Sequence, residues 1–256
     1  MTTDITALHG KTVIVTGAAG GLGQAIAAHC LRAGARVALL DRDPALLAQC
    51  GQTLDPTGAR VSTLACDVSN PGDARDAIEK TAAHWGAMHA LVNNAAVATP
   101  GNKVADLTPE QWRQALDVNL TGAWLMSKYA IPHMTRAGGG VVLNIASQLG
   151  SVAAPGRGAY GASKAGLIAL ARAIAVDHAA DGIRALSLSP GAVLTGRLVA
   201  RYGSAQAAAA TLAPKYPAGR LGTVDEIAQT AIFLISDAAS FITGTDIRAD
   251  GGYTAL

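Results

Sequence analysis

The chain has 256 residues, 20 basic against 18 acidic, a formal net charge of +2, and a composition that is 50% hydrophobic and only 15% charged. So apolar and weakly charged a chain cannot be a disordered or charge-solvated one, and with no local cluster of Lys and Arg it offers nothing for nucleic acid. The length suits one large domain with a sizeable core, and 29 glycines without a collagen period or low-complexity tract are glycines of turns.

In chain order, short β-branched runs alternate with Ala-rich stretches of helical length. The opening MTTDITALHG carries an acid and no apolar stretch, so no signal peptide is expected. The strand 12-TVIVTG comes first, then a helix over 21–33, the strand 36-RVALLD, a helix over 44–54 and the strand 60-RVSTLACD. A helix over 70–85, capped by Asn70 before Pro71, leads to the strand 88-MHALVNN. Thr108-Pro109-Glu110-Gln111 opens a long helix over 108–136, followed by the strand 140-GVVLNIAS, a helix over 158–181 and the strand 183-IRALSLSPG. The rhythm then fails over 192–220, an excursion whose 207-AAAA run can form a short helix, and resumes with a helix over 223–236 and the strand 246-DIRADGG. Near-continuous apolar strands are those of a parallel sheet buried on both faces. The pattern predicts one doubly wound, Rossmann-type α/β domain over 1–256, a seven-stranded parallel sheet with helices on both faces. The 192–220 excursion, at the carboxyl edge, is expected to be a binding loop or lid.

No apolar run reaches the roughly 18 residues of a membrane helix. Cys30, Cys50 and Cys66 have no metal-ligand spacing and cannot all pair, which points to reduced thiols in a cytoplasmic protein. His84, His89 and His178 have no paired ligands nearby, so no metal site is expected.

The first strand runs into Thr16-Gly17-Ala18-Ala19-Gly20-Gly21-Leu22-Gly23 and then a helix. Glycines at such a junction allow a tight bend, close approach of backbone to a pyrophosphate, and close helix–strand packing. The helix start adds free N–H groups and a partial positive charge. The spacing is Gly-x3-Gly-x-Gly rather than the common Gly-x-Gly-x2-Gly, so position carries the argument. Asp41 ends the second strand, where a carboxylate accepts from both ribose hydroxyls and repels a 2′-phosphate. That favours NAD over NADP, although the guanidinium of Arg42 can partly offset the repulsion.

Tyr160 and Lys164 stand one helical turn apart on one face, just past the strand that ends at Ser147. A phenol titrates near 10 and is a poor base at pH 7. A cation about 5 Å away, at an effective dielectric of about 20, favours the phenolate by roughly 3 kcal/mol, about two pKa units. The expected result is a general acid/base near working pH, with the Ser147 hydroxyl holding the substrate oxygen.

These residues, with 16-TGAAGGLG, 67-DV, 93-NNAA, 117-DVNLTG, 144-NIAS, 160-YGASK, 190-PGAVLT and the stretch from 220-RLGTVDEIAQ to the C-terminal GGYT, resemble the short-chain dehydrogenase/reductases over nearly the whole chain. The resemblance implies an NAD(P)-dependent oxidoreductase. It implies Tyr160 as acid/base, Lys164 as the group that lowers its pKa and binds the nicotinamide ribose, Ser147 as positioner of the carbonyl oxygen, and Asn119 as holder of a relay water. Cofactor contacts carry over to Gly17, Ala19, Gly21, Leu22 and Gly23 of the turn and to Asp41 and Arg42. Asp67 and Val68 flank the adenine. Asn94, Ala95 and Ala96 lie along the adenosine ribose and nearby backbone, and Pro190, Gly191, Val193 and Thr195 meet the nicotinamide side. The chain departs from the family at Ala96, where a glycine is usual, at Ala146 in place of a serine, and at Leu186 in place of an asparagine.

The substrate pocket is expected from 96–100, Gln148, Leu149, Ser151, 153–157 and the 192–218 loop. The Gln148 amide either reads a second hydroxyl, as in a polyol, sugar or hydroxylated ring, or points to solvent. Arg157, Arg197, Arg201 and Lys215 lie near the mouth, where they either meet an acidic substrate or acyl carrier, or solvate a lid. The long helices look apolar on more than one face, and the resemblance implies a homotetramer. The favoured expectation is an NAD-dependent oxidoreductase interconverting a secondary alcohol and its ketone. The alternatives are a 3-oxoacyl thioester reductase and a non-catalytic nucleotide sensor.

Overall fold

The computed structural model describes residues 6–256. Residues 1–5, on which much of the signal-peptide expectation rests, lie outside it. Seven strands, β1 (Thr12–Thr16), β2 (Arg36–Asp41), β3 (Val61–Ala65), β4 (Ala90–Asn93), β5 (Gly140–Ile145), β6 (Ile183–Pro190) and β7 (Asp246–Ala249), pair in the order β3-β2-β1-β4-β5-β6-β7, parallel throughout. All seven were legible in the sequence. Strand order reverses between β1 and β4, which opens a crevice at their carboxyl ends.

Alternate residues of each central strand feed two cores. Val13, Val15, Leu39, Val92 and Leu143 pack under α1 (Gly21–Arg32), α2 (Pro44–Leu54) and α9 (Val224–Ile235). Ile14, Leu40, Leu91 and Val142 pack under α3 (Pro71–Trp85), α5 (Gly122–Arg136) and α6 (Gly158–Asp177). Edge strand β3 alternates buried and solvent-facing residues, as an edge must. Asn70 caps α3 by accepting from the Gly72 and Asp73 N–H groups ahead of Pro71, and Thr223 and Glu226 form a capping box at α9.

Two features differ from the sequence expectation. The 108–136 segment is not one helix: α4 (Pro109–Leu116) and α5 are joined by a π turn over Asp117–Thr121. There the buried Asn119 side chain accepts from the Val97 N–H at 2.8 Å and donates to Ser163 Oγ at 3.1 Å, contacts that hold the irregular turn in place. The 192–220 excursion contains two short helices, α7 (Gly196–Tyr202) and α8 (Ala205–Leu212), of which only the second was foreseen. In addition, α6 is 20 residues long with a mean hydropathy of 1.2, enough by length and composition to cross a membrane. It carries Lys164 and Arg172 and packs on β6, so it is the core helix of a folded domain.

Asn93 and Asn144 sit side by side in β4 and β5 and are buried. Asn93 Nδ2 donates to Asn144 Oδ1 at 2.9 Å, and Asn144 Nδ2 donates to the Leu167 carbonyl of α6 at 3.1 Å. Replacing Asn144 by Ala strips a partner from each neighbour in a dry site. A loss of about 1–3 kcal/mol in urea unfolding, with cofactor-site residues untouched, is the expected outcome.

Candidate active site

A cleft of about 590 Å³ lies over the carboxyl ends of β1, β4, β5 and β6. Its floor is the turn from β1 into α1. Gly17 has φ +64°, and a Cβ there would lie 2.8 Å from the Ala95 Cα. A Cβ on Gly23 would collide with the Gly17 carbonyl and come within 2.6 Å of Asn94 Nδ2. The turn is stapled from the neighbouring strand. Thr16 Oγ1 accepts from the Asn94 and Ala95 N–H groups, both at 3.0 Å, and Asn94 Nδ2 donates to the Thr16 and Gly17 carbonyls, also at 3.0 Å. The N-terminus of α1 has no capping side chain and no acid in its first turn, so its N–H groups face the cleft as ready anion donors. These features fit a dinucleotide pyrophosphate.

Asp41 stands at the tip of β2. One oxygen accepts from the Ala19 N–H at 3.1 Å and the other from the Asp43 N–H at 3.3 Å, which fixes the carboxylate at the cleft wall with lone pairs to spare. Arg42 and Asp67 also line this end, and Val68 is buried beside them.

At the other end Ser147, Tyr160 and Lys164 line the same cleft. The Lys164 ammonium is buried and donates to the Ile145 carbonyl at 2.7 Å; it lies 5.7 Å from the centre of the Tyr160 ring. Burial pushes the Tyr160 phenol above its ordinary value, with the Ser147 hydroxyl and the Arg197 guanidinium pulling the other way. Burial also brings Lys164 down to about 7, and Arg197 adds to that shift. The expectation that Lys164 makes the phenol acidic thus fails for the protein alone. In the protein by itself desolvation penalises both charges and outweighs the attraction between them.

Of the sequence-predicted residues, Gly17, Ala19, Gly21, Leu22, Asn94, Ala95, Ala96, Pro190, Gly191, Val193 and Thr195 all line the cleft. Gly23 lies behind the turn and shapes it. Asn119 lies behind the cleft wall with its amide engaged by Val97 and Ser163. Gln148 is buried: its Nε2 donates to Tyr216 Oη at 3.0 Å, and Tyr216 Oη also accepts from the Ala192 N–H at 2.8 Å. The amide therefore pins the 192–220 excursion to the end of β5 and does not point to solvent. Sequence reasoning missed Thr16 and Tyr216. Thr16 stood in view at the end of β1, whereas Tyr216 is tied to Gln148 only by folding.

A family model described as Enoyl-(Acyl carrier protein) reductase matches residues 17–254. The chain belongs to the short-chain dehydrogenase/reductase family. It is 36% identical over 251 residues to 2,5-dichloro-2,5-cyclohexadiene-1,4-diol dehydrogenase of Sphingobium indicum, covering 97% of this chain and 99% of the relative. It is 37% identical over 246 residues to cis-4-hydroxycyclohexanecarboxylate dehydrogenase of Sinomonas cyclohexanicum, covering 96% and 97%. Among solved structures, a short-chain type dehydrogenase/reductase from Mycobacterium marinum superposes with a TM-score of 0.90 at 31% identity, over 99% of each chain. The protein is accordingly an oxidoreductase acting on CH–OH groups, in a family that works with NAD or NADP.

Lys164 bears on stability as well as chemistry. Its value falls from 10.5 to about 7 on folding, so between those values the unfolded chain holds more protons and stability rises with pH. Lys164→Met removes that dependence. Its melting temperature should exceed the parent's at pH 6.5 and the gap should close by pH 10, as followed by thermal unfolding across pH.

Proposed function

We propose that this protein is an NAD-dependent dehydrogenase that interconverts a ring-borne or polyol secondary alcohol and its ketone. The observation that carries the reading is the meeting of Ser147, Tyr160 and Lys164 in one cleft with the Gly17–Gly23 turn. The nicotinamide, when bound, accepts or donates the hydride. Tyr160 Oη takes the alcohol proton in oxidation and returns it in reduction; the Ser147 hydroxyl holds the substrate oxygen. Lys164, close to neutrality in its titration, passes the proton on from the buried end of the site, with Asn119 holding the turn behind it. Because burial raises the phenol, oxidation is an alkaline activity while reduction persists toward neutral pH.

NAD as the partner rests on Asp41, fixed by the Ala19 N–H where a 2′-phosphate would have to sit. A ring substrate is supported by the two relatives named above, both of which act on six-membered ring alcohols by their names. The 192–220 excursion serves as a lid held by Tyr216, and Gln148, through its second amide atom, is the candidate for a further hydroxyl. Exposed Trp112 and Trp124 on α4 and α5, Phe233 on α9 and Phe241 between α9 and β7 are large apolar side chains that subunit contacts of a homotetramer would cover. Buried, unpaired Cys30, Cys50 and Cys66, whose thiols burial pushes up, suit a cytoplasmic setting. One second reading is reduction of a 3-oxoacyl thioester; the matching family model is described by an acyl-carrier substrate, although by reduction of its enoyl double bond rather than of a 3-oxo group. Asp41 weighs against it, since biosynthetic reductions draw on NADPH. A nucleotide sensor has no use for the buried Tyr160–Lys164 pair.

Tyr160→Phe should lower the turnover of cyclohexanol with NAD by about 10²- to 10⁴-fold while NADH binding, read by fluorescence, stays within a factor of three. Turnover near the parent's removes Tyr160 from the mechanism. Asp41→Ser should cut kcat/KM for NAD by tenfold or more and raise that for NADP, read as initial rates with each cofactor. An unchanged ratio would remove Asp41 from cofactor choice.

A further inference from the structure

The charges along the cleft are unevenly placed. Among the described residues its only lining carboxylates, Asp41, Asp43 and Asp67, sit at the β2 and β3 end, where the adenosine half belongs. The end that holds Ser147 and Tyr160 carries Lys164 and Arg197 and no carboxylate. Arg197, at the start of α7, reaches across to the Ala96 carbonyl at 3.3 Å. Arg157, three residues before Tyr160 at the start of α6, donates to the Thr99 carbonyl at 3.4 Å. The two guanidiniums thus meet the same loop after β4, three residues apart. Among the described residues neither forms an ion pair with a carboxylate, although Arg220, Arg248 and others do.

A single long hydrogen bond to a neutral carbonyl leaves most of the five donors of each guanidinium without a protein acceptor. Between these two contacts, Thr99 is 8% exposed and its Oγ1 has no hydrogen-bond partner. The loop that both guanidiniums reach thus holds a buried hydroxyl without a partner, and the exposed Arg197 lines the cleft beside Tyr160 while the half-buried Arg157 stands just outside its lining, which leaves donors there for an anion. Gly156 keeps the elements close: a Cβ there would overlap the Gly101 carbonyl, so the start of α6 and this loop share one wall.

We infer that the substrate carries a carboxylate or similarly sized fixed anion away from its carbinol carbon, and that Arg157 and Arg197 receive that anion while Tyr160 and Ser147 receive the hydroxyl. The inference rests on the reading of Tyr160 and Ser147 as the reacting end of the cleft. It makes the two arginines specificity-determining residues, with charge-assisted bonds replacing the weak contacts to Ala96 and Thr99.

The test compares cis-4-hydroxycyclohexanecarboxylate with its neutral carboxamide in the full chain with NAD. The acid should be preferred in kcat/KM by about 10- to 100-fold, chiefly through KM, and the preference should shrink as salt rises. Arg157→Gln and Arg197→Gln should each bring the acid-to-amide ratio toward one, and Arg197→Lys should retain part of it. Equal kcat/KM for acid and amide in the parent overturns the inference. So does an Arg197→Gln variant in which KM for NAD rises while the ratio holds, since that places the guanidinium on the cofactor. A second readout needs no turnover: cyclohexanecarboxylate, but not cyclohexanecarboxamide, should raise the melting temperature of the parent and not of the double variant. If neither alcohol is oxidised but this selective shift is present, the dehydrogenase reading falls and the anion site stands. If the shift is absent as well, both fall.

Discussion

The site depends on an ammonium group held where water cannot reach it. Lys164 is buried in the cleft wall, and its Nζ donates to the last carbonyl of β5, that of Ile145. The cost of that burial appears as a value near 7 for a group that ordinarily titrates above 10. Helix α6 exists in its place because of this contact and its packing on β6, and the same helix sets Tyr160 one turn earlier on the same face. The lysine and the phenol are thereby positioned by one rigid element against one strand end, which is how a pair is held to within a few tenths of an ångström.

Electrostatics at this end are those of a site that lacks its negative charge. Both titrating groups are pushed toward their neutral forms by desolvation, and the nearest guanidinium, that of Arg197, lowers both. A pair tuned by pairing alone would show the reverse: a depressed phenol beside a fully charged lysine. The phenol–lysine couple is therefore poised rather than charged in the protein by itself, and whatever anion or oxygen enters the cleft decides how the proton is shared.

What was legible in the sequence follows from how local each feature is. Every strand could be placed because strands buried on both faces are written as continuous apolar runs between turn signals. The glycine turn, Asp41, Ser147 and the Tyr160–Lys164 pair were legible because each sits at a strand end or a helix start. The π turn was not: its cause is the Asn119 side chain reaching the Val97 backbone and Ser163, partners 22 and 44 residues away. Likewise neither role expected of the Gln148 amide included its bond to Tyr216, 68 residues later, which only folding supplies. The sign of the Tyr160 shift was misjudged for a related reason. Spacing gives the distance between two groups but not the water excluded around them, and here exclusion outweighs attraction.

The 192–220 excursion shows how one such long-range contact serves two ends of the site. Tyr216 Oη accepts from the Ala192 N–H at the start of the excursion and from the Gln148 amide beside Ser147, and its ring lies against Tyr253 with centroids 5.0 Å apart. Tyr253, the start of the 192–220 excursion and the residue after Ser147 are therefore one packed unit. Gly191 completes it, since a Cβ there would come within 3.0 Å of both Gln148 Oε1 and the Tyr216 ring. The packing fixes the Pro190–Gly191 wall of the cleft, whereas α7, with Arg197, lies beyond the packed unit. The fixed wall then suits the dinucleotide that the family shares, and the excursion proposed as a lid, with its unpaired guanidinium, suits the part of the substrate that distinguishes one alcohol from another.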